Sequence, residues 1–65
     1  MIKSRDRAKV ELNYAVNNLD WVLKHLKKFG ELGYADIEEF RVQIVALGNA
    51  IMELQTAISR LKDSF

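Results

Sequence analysis

The second half of the chain decides the fold. Residues 37–65 read IEEFRVQIVALGNAIMELQTAISRLKDSF, and large apolar side chains recur there at alternating steps of three and four residues. This spacing returns to one side of an α-helix, so it predicts an amphipathic helix over residues 37–62. The apolar positions are Ile37, Phe40, Ile44, Leu47, Ile51, Leu54, Ile58, Leu61 and Phe65.

The same stretch can be written as heptads, in which Ile fills the first four a positions and Leu three of the four d positions. Ile at a with Leu at d is typical of parallel two-stranded coiled coils, so this helix could instead pair with its copy in another chain. The first helix would then wrap the outside. Asp36, with Glu39 three residues later, has the form of a capping box at the start of the helix.

The first half predicts a second helix over residues 5–29. Ser4 is the expected N-cap, Asp6 places an acid in the first turn, and Gly30 is the expected left-handed residue at the end. The apolar stripe that carries this prediction consists of Ala8, Leu12, Ala15, Leu19, Val22, Leu26 and Phe29.

The strongest break in the pattern is the turn between the helices, predicted over residues 30–36. The chain has no Pro, and two of its three Gly stand at positions 30 and 33. We therefore expect one domain over residues 1–65, an all-α antiparallel helical hairpin. Folding back at Gly33 would set residue i opposite residue 66 minus i.

A chain of 65 residues is short for a self-sufficient hydrophobic core. It has no Cys and a single His, so disulfides and the common metal sites are excluded as sources of stability. We expect no cofactor and no metal, and instead a homo-oligomer, most simply a dimer forming a four-helix bundle. The predicted oligomer core is Leu12, Leu19, Leu26, Ile44, Leu47, Ile51, Leu54 and Ile58.

A nearly uncharged belt is the best indication of a binding surface. Residues 12–23 and 43–54 hold one charged side chain each, although 29% of the chain is charged. Two aromatic residues seven positions apart stand among short polar side chains, which resembles a recognition surface, although they could equally fill the bundle seam. The predicted protein-binding residues are Tyr14, Asn17, Asn18, Trp21, Val42, Val45 and Met52.

Catalysis finds no support in the residue pattern. His25 has no potential metal ligand four residues away on either side, and Glu38 and Glu39 are expected at a helix start for the helix dipole alone. We expect no enzyme, no small-molecule substrate and no membrane partner, and a cytoplasmic location. A helix lying on a membrane surface is a further alternative.

Basic residues offer the principal alternative function. Residues 1–30 carry seven basic and three acidic side chains, whereas residues 31–65 carry three and six. The hairpin would gather basic side chains at the end that holds both termini, where they could contact phosphates. Acidic neighbours make an ordinary solvated surface the competing interpretation. The candidates are Arg5, Arg7, Lys9, Arg60 and Lys62, together with Lys3.

The layout is similar in chain length and topology to the Rop family of plasmid copy-number regulators, which would imply a four-helix bundle that binds paired RNA loops. No residue motif matches, so no RNA-contacting residue is carried over. Residues 26–51, with Lys27, Lys28, Gly33 and Tyr34, also resemble the hairpin co-chaperones of type III secretion needle subunits. The sequence favours a small phage or bacterial interaction protein: an adaptor, regulator, inhibitor or assembly chaperone.

Overall fold

The computed structural model describes residues 4–65, so Lys3 lies outside the described part. An α-helix, α1 (Arg5–Glu31), is followed by a short 3₁₀ turn (Tyr34–Asp36) and a second α-helix, α2 (Glu38–Asp63). The predicted all-α hairpin is confirmed over these residues, and each predicted boundary is correct to within two residues. The molecule is a rod of 52 × 16 × 16 Å with a radius of gyration of 15.4 Å, against about 11 Å for a compact domain of this length.

The start of α1 follows the prediction and its end does not. The Ser4 hydroxyl accepts a hydrogen bond from the Arg7 backbone N–H at 3.2 Å, which is N-capping geometry. Gly30, however, lies within the helix and is buried, so its prediction as the left-handed terminal residue is wrong. A Cβ on Gly30 would stand 3.3 Å from the Ala35 Cβ, and this close approach of the turn to the helix favours glycine here.

The left-handed residue is Gly33 instead, with a φ of 111°. From Gly33 the backbone reverses through the 3₁₀ turn into α2, whose N-cap is Ile37. Ile37 makes no side-chain capping bond, and Asp36 lies in the turn, so the predicted capping box is also wrong. Because Asp36 belongs to the turn, α2 begins later than the capping pattern suggested.

The two helices are also paired in a different register from the one predicted. Contacts join Arg5 to Phe65, Val16 to Gln55 and Asn13 to Lys62. The numbers of these partners add up to between 70 and 75, not to 66. The difference arises because the chain reverses over the 3₁₀ turn, beyond Gly33. The two weakly charged stretches, residues 12–23 and 43–54, therefore face each other along only part of their length.

The interhelical seam uses only part of each apolar stripe. On α2 the buried and half-buried residues occupy the a and e positions of the heptad; they are Ile44, Gly48, Ile51, Gln55, Ile58 and Lys62. On α1 they are Ala8, Lys9, Leu12, Ala15, Val16, Leu19, Leu23, Leu26 and Gly30. Ile51, at 8% exposure, and Gly30 are the buried residues of the described part of the chain. The hairpin core is consequently a single thin row of side chains.

The glycines give a matched pair of stability predictions. Gly33→Ala should lower the free energy of unfolding by about 1–2 kcal/mol, because an L side chain is strained at a φ of 111°. Gly48→Ala should raise it by about 0.5–1 kcal/mol, because a helix interior favours Ala and the new methyl group would meet only Leu23 at 4.0 Å. Urea titration of both variants measures the difference, and equal effects would contradict the assigned turn geometry.

Candidate interaction surfaces

One side of the hairpin is apolar and uncovered. Leu47, Leu54 and Leu61, the d leucines of α2, are 51–53% exposed in the isolated chain. They stand seven residues apart, so they form a straight line along the helix beside the seam. About half of the surface of these leucines stays in contact with water, so covering it would add hydrophobic stabilisation.

Helix α1 extends this apolar side near the turn. The Phe29 and Phe40 rings meet edge to face, with centroids 6.3 Å apart, and Tyr34 stacks on Phe29 at 4.6 Å. Val22 stands one heptad before Phe29 and is also exposed. We call this surface the open face; its main residues are Val22, Phe29, Phe40, Leu47, Leu54 and Leu61.

The strip of α2 directly beside the leucine line carries no charged side chain from Phe40 to Leu61. The heptad positions between the leucine line and the outside of the helix are occupied by Gln43, Ala50 and Ala57. A solvated helical surface normally carries charged side chains along its length. Small uncharged side chains in this place permit another helix to approach closely.

The opposite side of the seam is held by polar contacts, and we call it the polar side. The Gln55 amide donates hydrogen bonds to the Val16 carbonyl at 3.1 Å and to the Asp20 carboxylate at 2.7 Å. One heptad further, the Lys62 ammonium donates to the Asn13 side-chain oxygen at 2.7 Å. The two sides of the hairpin thus differ in chemistry, because these hydrogen bonds join the helices on the polar side while aromatic and aliphatic side chains line the open face.

An apolar cleft lies on the polar side near the turn. Its volume is about 500 Å³, and Leu23, Leu26, Ile44 and Gly48 contribute to its walls. The absence of a side chain on Gly48 leaves part of this space open, because the Leu23 methyl is 4.0 Å from the place of a Cβ.

The predicted protein-binding residues do not form one surface. Tyr14 and Trp21 are 57–58% exposed and stand one heptad apart on the outside of α1, with exposed Asn17 and Asn18 between them. Trp21 stacks on His25 of the same helix, with centroids 6.0 Å apart, and the Lys24 ammonium lies 5.0 Å from its ring. Neither ring lies in the seam between the two helices of the chain, and the alternative that they fill the bundle seam stays a prediction. Exposed Val42, Val45 and Met52 belong to α2.

The predicted oligomer core divides into two groups. Ile44, Ile51 and Ile58 lie in the seam of the single chain, as do Leu12, Leu19 and Leu26 of α1. Leu47 and Leu54 lie outside the seam, on the open face. Sequence reasoning left Phe40, Leu61, Val22 and Phe29 out of the site. The d positions of the heptad identify the first two, since they share their line with Leu47 and Leu54.

The basic candidates gather at the end that holds the last residues of α2, but two of them are engaged within the chain. The Arg5 guanidinium donates to the main-chain oxygen of Phe65 at 2.6 Å, and Lys62 binds Asn13 as described above. Arg7 and Arg60 are exposed, and Lys9 is half-buried. Part of the predicted phosphate-binding cluster thus joins the two helices of the chain to each other.

Across residues 4–65, no group of three or more His, Cys, Asp or Glu side chains is arranged to hold a metal ion. Neither helix, within the same residues, is long and apolar enough to cross a membrane. No family model, no curated protein and no solved structure matches the chain.

Proposed function

We propose that this chain is a small helical interaction protein that acts by binding rather than by catalysis. It self-associates through the open face into a four-helix bundle, most simply a dimer, and it offers the outside of α1 to another protein. The observation that carries this proposal is the uncharged, half-exposed leucine line of α2. Such a line is the usual mark of a helix that has a second apolar neighbour.

The surface area supports the same proposal. The chain exposes 5515 Å², whereas a compact monomer of this mass exposes about 4,200 Å². Two chains brought together into one compact particle would bury roughly 4,000 Å² in total, which lies within the range of obligate homodimers. Dimer formation would therefore bury the surface that the single chain exposes beyond that of a compact monomer.

Sedimentation equilibrium tests self-association directly. We expect twice the chain mass of 7.5 kDa at micromolar concentration, and a melting temperature that rises with concentration because association adds to the stability of the folded hairpin. A compact 7.5 kDa species with a concentration-independent melting temperature would refute the proposal.

The outside of α1 is tested by the double variant Tyr14→Ala/Trp21→Ala. Both side chains are more than half exposed, and the ring contacts of Trp21 are within its own helix. We therefore expect the mass in solution and the melting temperature to change little, while retention of a partner from native extract falls at least about tenfold, as for aromatic hot spots. Leu32→Ala, 78% exposed at the end of α1 and outside the predicted binding set, is the control. Unchanged retention by the double variant would remove this surface from the proposal.

A further inference from the structure

We propose that the second copy packs on the open face with the two hairpin turns at opposite ends. In this arrangement α2 lies on α2 of the second copy, and the two-fold axis passes beside Ala50. The inference deepens the proposed self-association and rests on it, because it specifies the face, the direction and the register of the pairing.

The side chains of the open face form four layers along the hairpin. The contact between the Phe29 and Phe40 rings sets the level of the first layer. Since both helices rise equally per residue, each later layer lies seven residues along each chain. The following layers pair Val22 with Leu47, Ala15 with Leu54, and Ala8 with Leu61. The layers therefore shrink from two Phe beside the turn to Ala and Leu at the far end.

This taper favours opposite ends over the same end. With the turns opposed, the large Phe29–Phe40 layer meets the small Ala8–Leu61 layer of the second copy. The Val22–Leu47 layer then meets the Ala15–Leu54 layer. Each combined layer receives a similar total volume, as close packing at native density requires. With the turns together, four Phe would crowd one end, and the Ala layers would leave a gap at the other.

The arrangement with opposed turns also pairs the side chains of the two α2 helices in one register. Leu47 faces Leu54 of the second copy, Phe40 faces Leu61, and Ala50 faces its own counterpart near the axis. At the rim, Glu39 comes beside Arg60 of the second copy, so opposite charges meet at two equivalent places. Placing the turns together would set Arg60 between Arg7 and Glu11 of the second copy and Glu39 near Lys28, so the volume taper, not the rim charge, decides between the two arrangements. Opposite charges at such a rim favour one register over another.

The same two-fold axis pairs α1 with α1 of the second copy. Ala15 faces Val22 of the second copy, and Glu11 comes beside His25. The axis crosses α1 between residues 18 and 19 and α2 beside residue 50, and these two points lie at one level in the Phe29–Phe40 register. Both points follow from the one Phe29–Phe40 contact that sets the layers. Arg7 and Lys28 would also approach each other, at the exposed rim where salt screens like charges.

Disulfide trapping tests the arrangement, since the chain has no Cys of its own. Ala50→Cys places one thiol beside the axis on each copy, close to the short Cβ separation that a disulfide requires. Under mild oxidation we expect Ala50→Cys to form a covalent dimer at least about tenfold faster than Asn49→Cys, because pairing raises the effective thiol concentration. Asn49 is the matched control, since it is exposed and points away from the leucine line.

The outcomes separate the two proposals. If reduced Ala50→Cys and the unsubstituted chain are both monomeric, self-association itself is refuted. If both are dimeric but Ala50→Cys links no faster than Asn49→Cys, self-association stands and the opposed arrangement is overturned. Rapid linking in a mixture of Asn18→Cys and Ala50→Cys chains would then indicate turns at the same end. If Ala50→Cys alone prevents dimerisation, a mixture of Gln43→Cys and Ala57→Cys chains must link, or the arrangement is wrong.

Discussion

Leu54→Asp should convert the assembled protein into a single chain and lower the free energy of unfolding by at least about 3 kcal/mol per chain. Leu54 is 53% exposed in the hairpin, so the hairpin alone would tolerate a carboxylate there. In the proposed bundle Leu54 lies between Leu47 and Leu61 of its own chain and faces Leu47 of the second copy. A carboxylate there loses its hydration without gaining a partner of opposite charge. Sedimentation should give the monomer mass, and the thermal transition should shift down by more than about 10 °C.

Val45→Asp is the matched control for this prediction. Val45 is 56% exposed and lies on the same helix, away from the leucine line. Both substitutions place an Asp in the interior of α2, so the moderate loss of helix propensity is common to them. We expect Val45→Asp to keep the assembled mass. Similar behaviour of the two variants would show that the open face is an ordinary solvated surface.

Ile51→Ala should have a comparable effect for a different reason. Ile51 is the most buried apolar side chain in the described residues, at 8% exposure, and it lies in the seam of the hairpin itself. Removing three carbon atoms there should cost about 2–5 kcal/mol. A chain of this length has a total stability of about 3–10 kcal/mol, so this substitution should remove a large share of it and lower the urea midpoint strongly.

The control for Ile51 is the conservative change Ile51→Val, which should cost only about 0.5–1.5 kcal/mol. Circular dichroism with urea titration measures both. The effect of Ile51→Ala should persist in the background of Leu54→Asp, because the seam belongs to each chain and not to the assembly. Loss of the effect in that background would mean that Ile51 packs mainly against the second copy.

The fold was predictable because the apolar spacing of both halves is regular and the only strong break falls at the turn. The turn itself was not predictable in detail. Either Gly30 or Gly33 could adopt the left-handed conformation from the sequence alone. The structure places it at Gly33, whereas Gly30 lets Ala35 of the turn pack closely against α1. The register depends on where the chain reverses, and reversal over Tyr34–Asp36 instead of at Gly33 raises the sum of the partner numbers from 66 to 70–75.

The candidate site was predicted in part. Heptad notation treats Ile at a and Leu at d as one seam, whereas the hairpin splits them, with Ile44, Ile51 and Ile58 facing α1 and the leucines left outside. The reason is that Gly48, Gln55 and Lys62 form the other half of the seam, which draws α1 to that side. A pattern of apolar residues alone cannot show this, because the choice depends on hydrogen-bonding partners in the other helix.

The hydrogen bonds of Gln55 have a further consequence for folding. Ile44, Ile51 and Ile58 repeat every seven residues, so α2 could slide along α1 by one heptad and find nearly equivalent apolar neighbours. The Gln55 side-chain amide meets the Val16 carbonyl and the Asp20 carboxylate only in the native alignment. A slip of one heptad would replace the Asp20 carboxylate with the Asn13 amide in one direction and with Lys27 in the other, so Gln55 would lose its bond to a charged acceptor in both. One polar side chain therefore removes a degeneracy that the repeating isoleucines create.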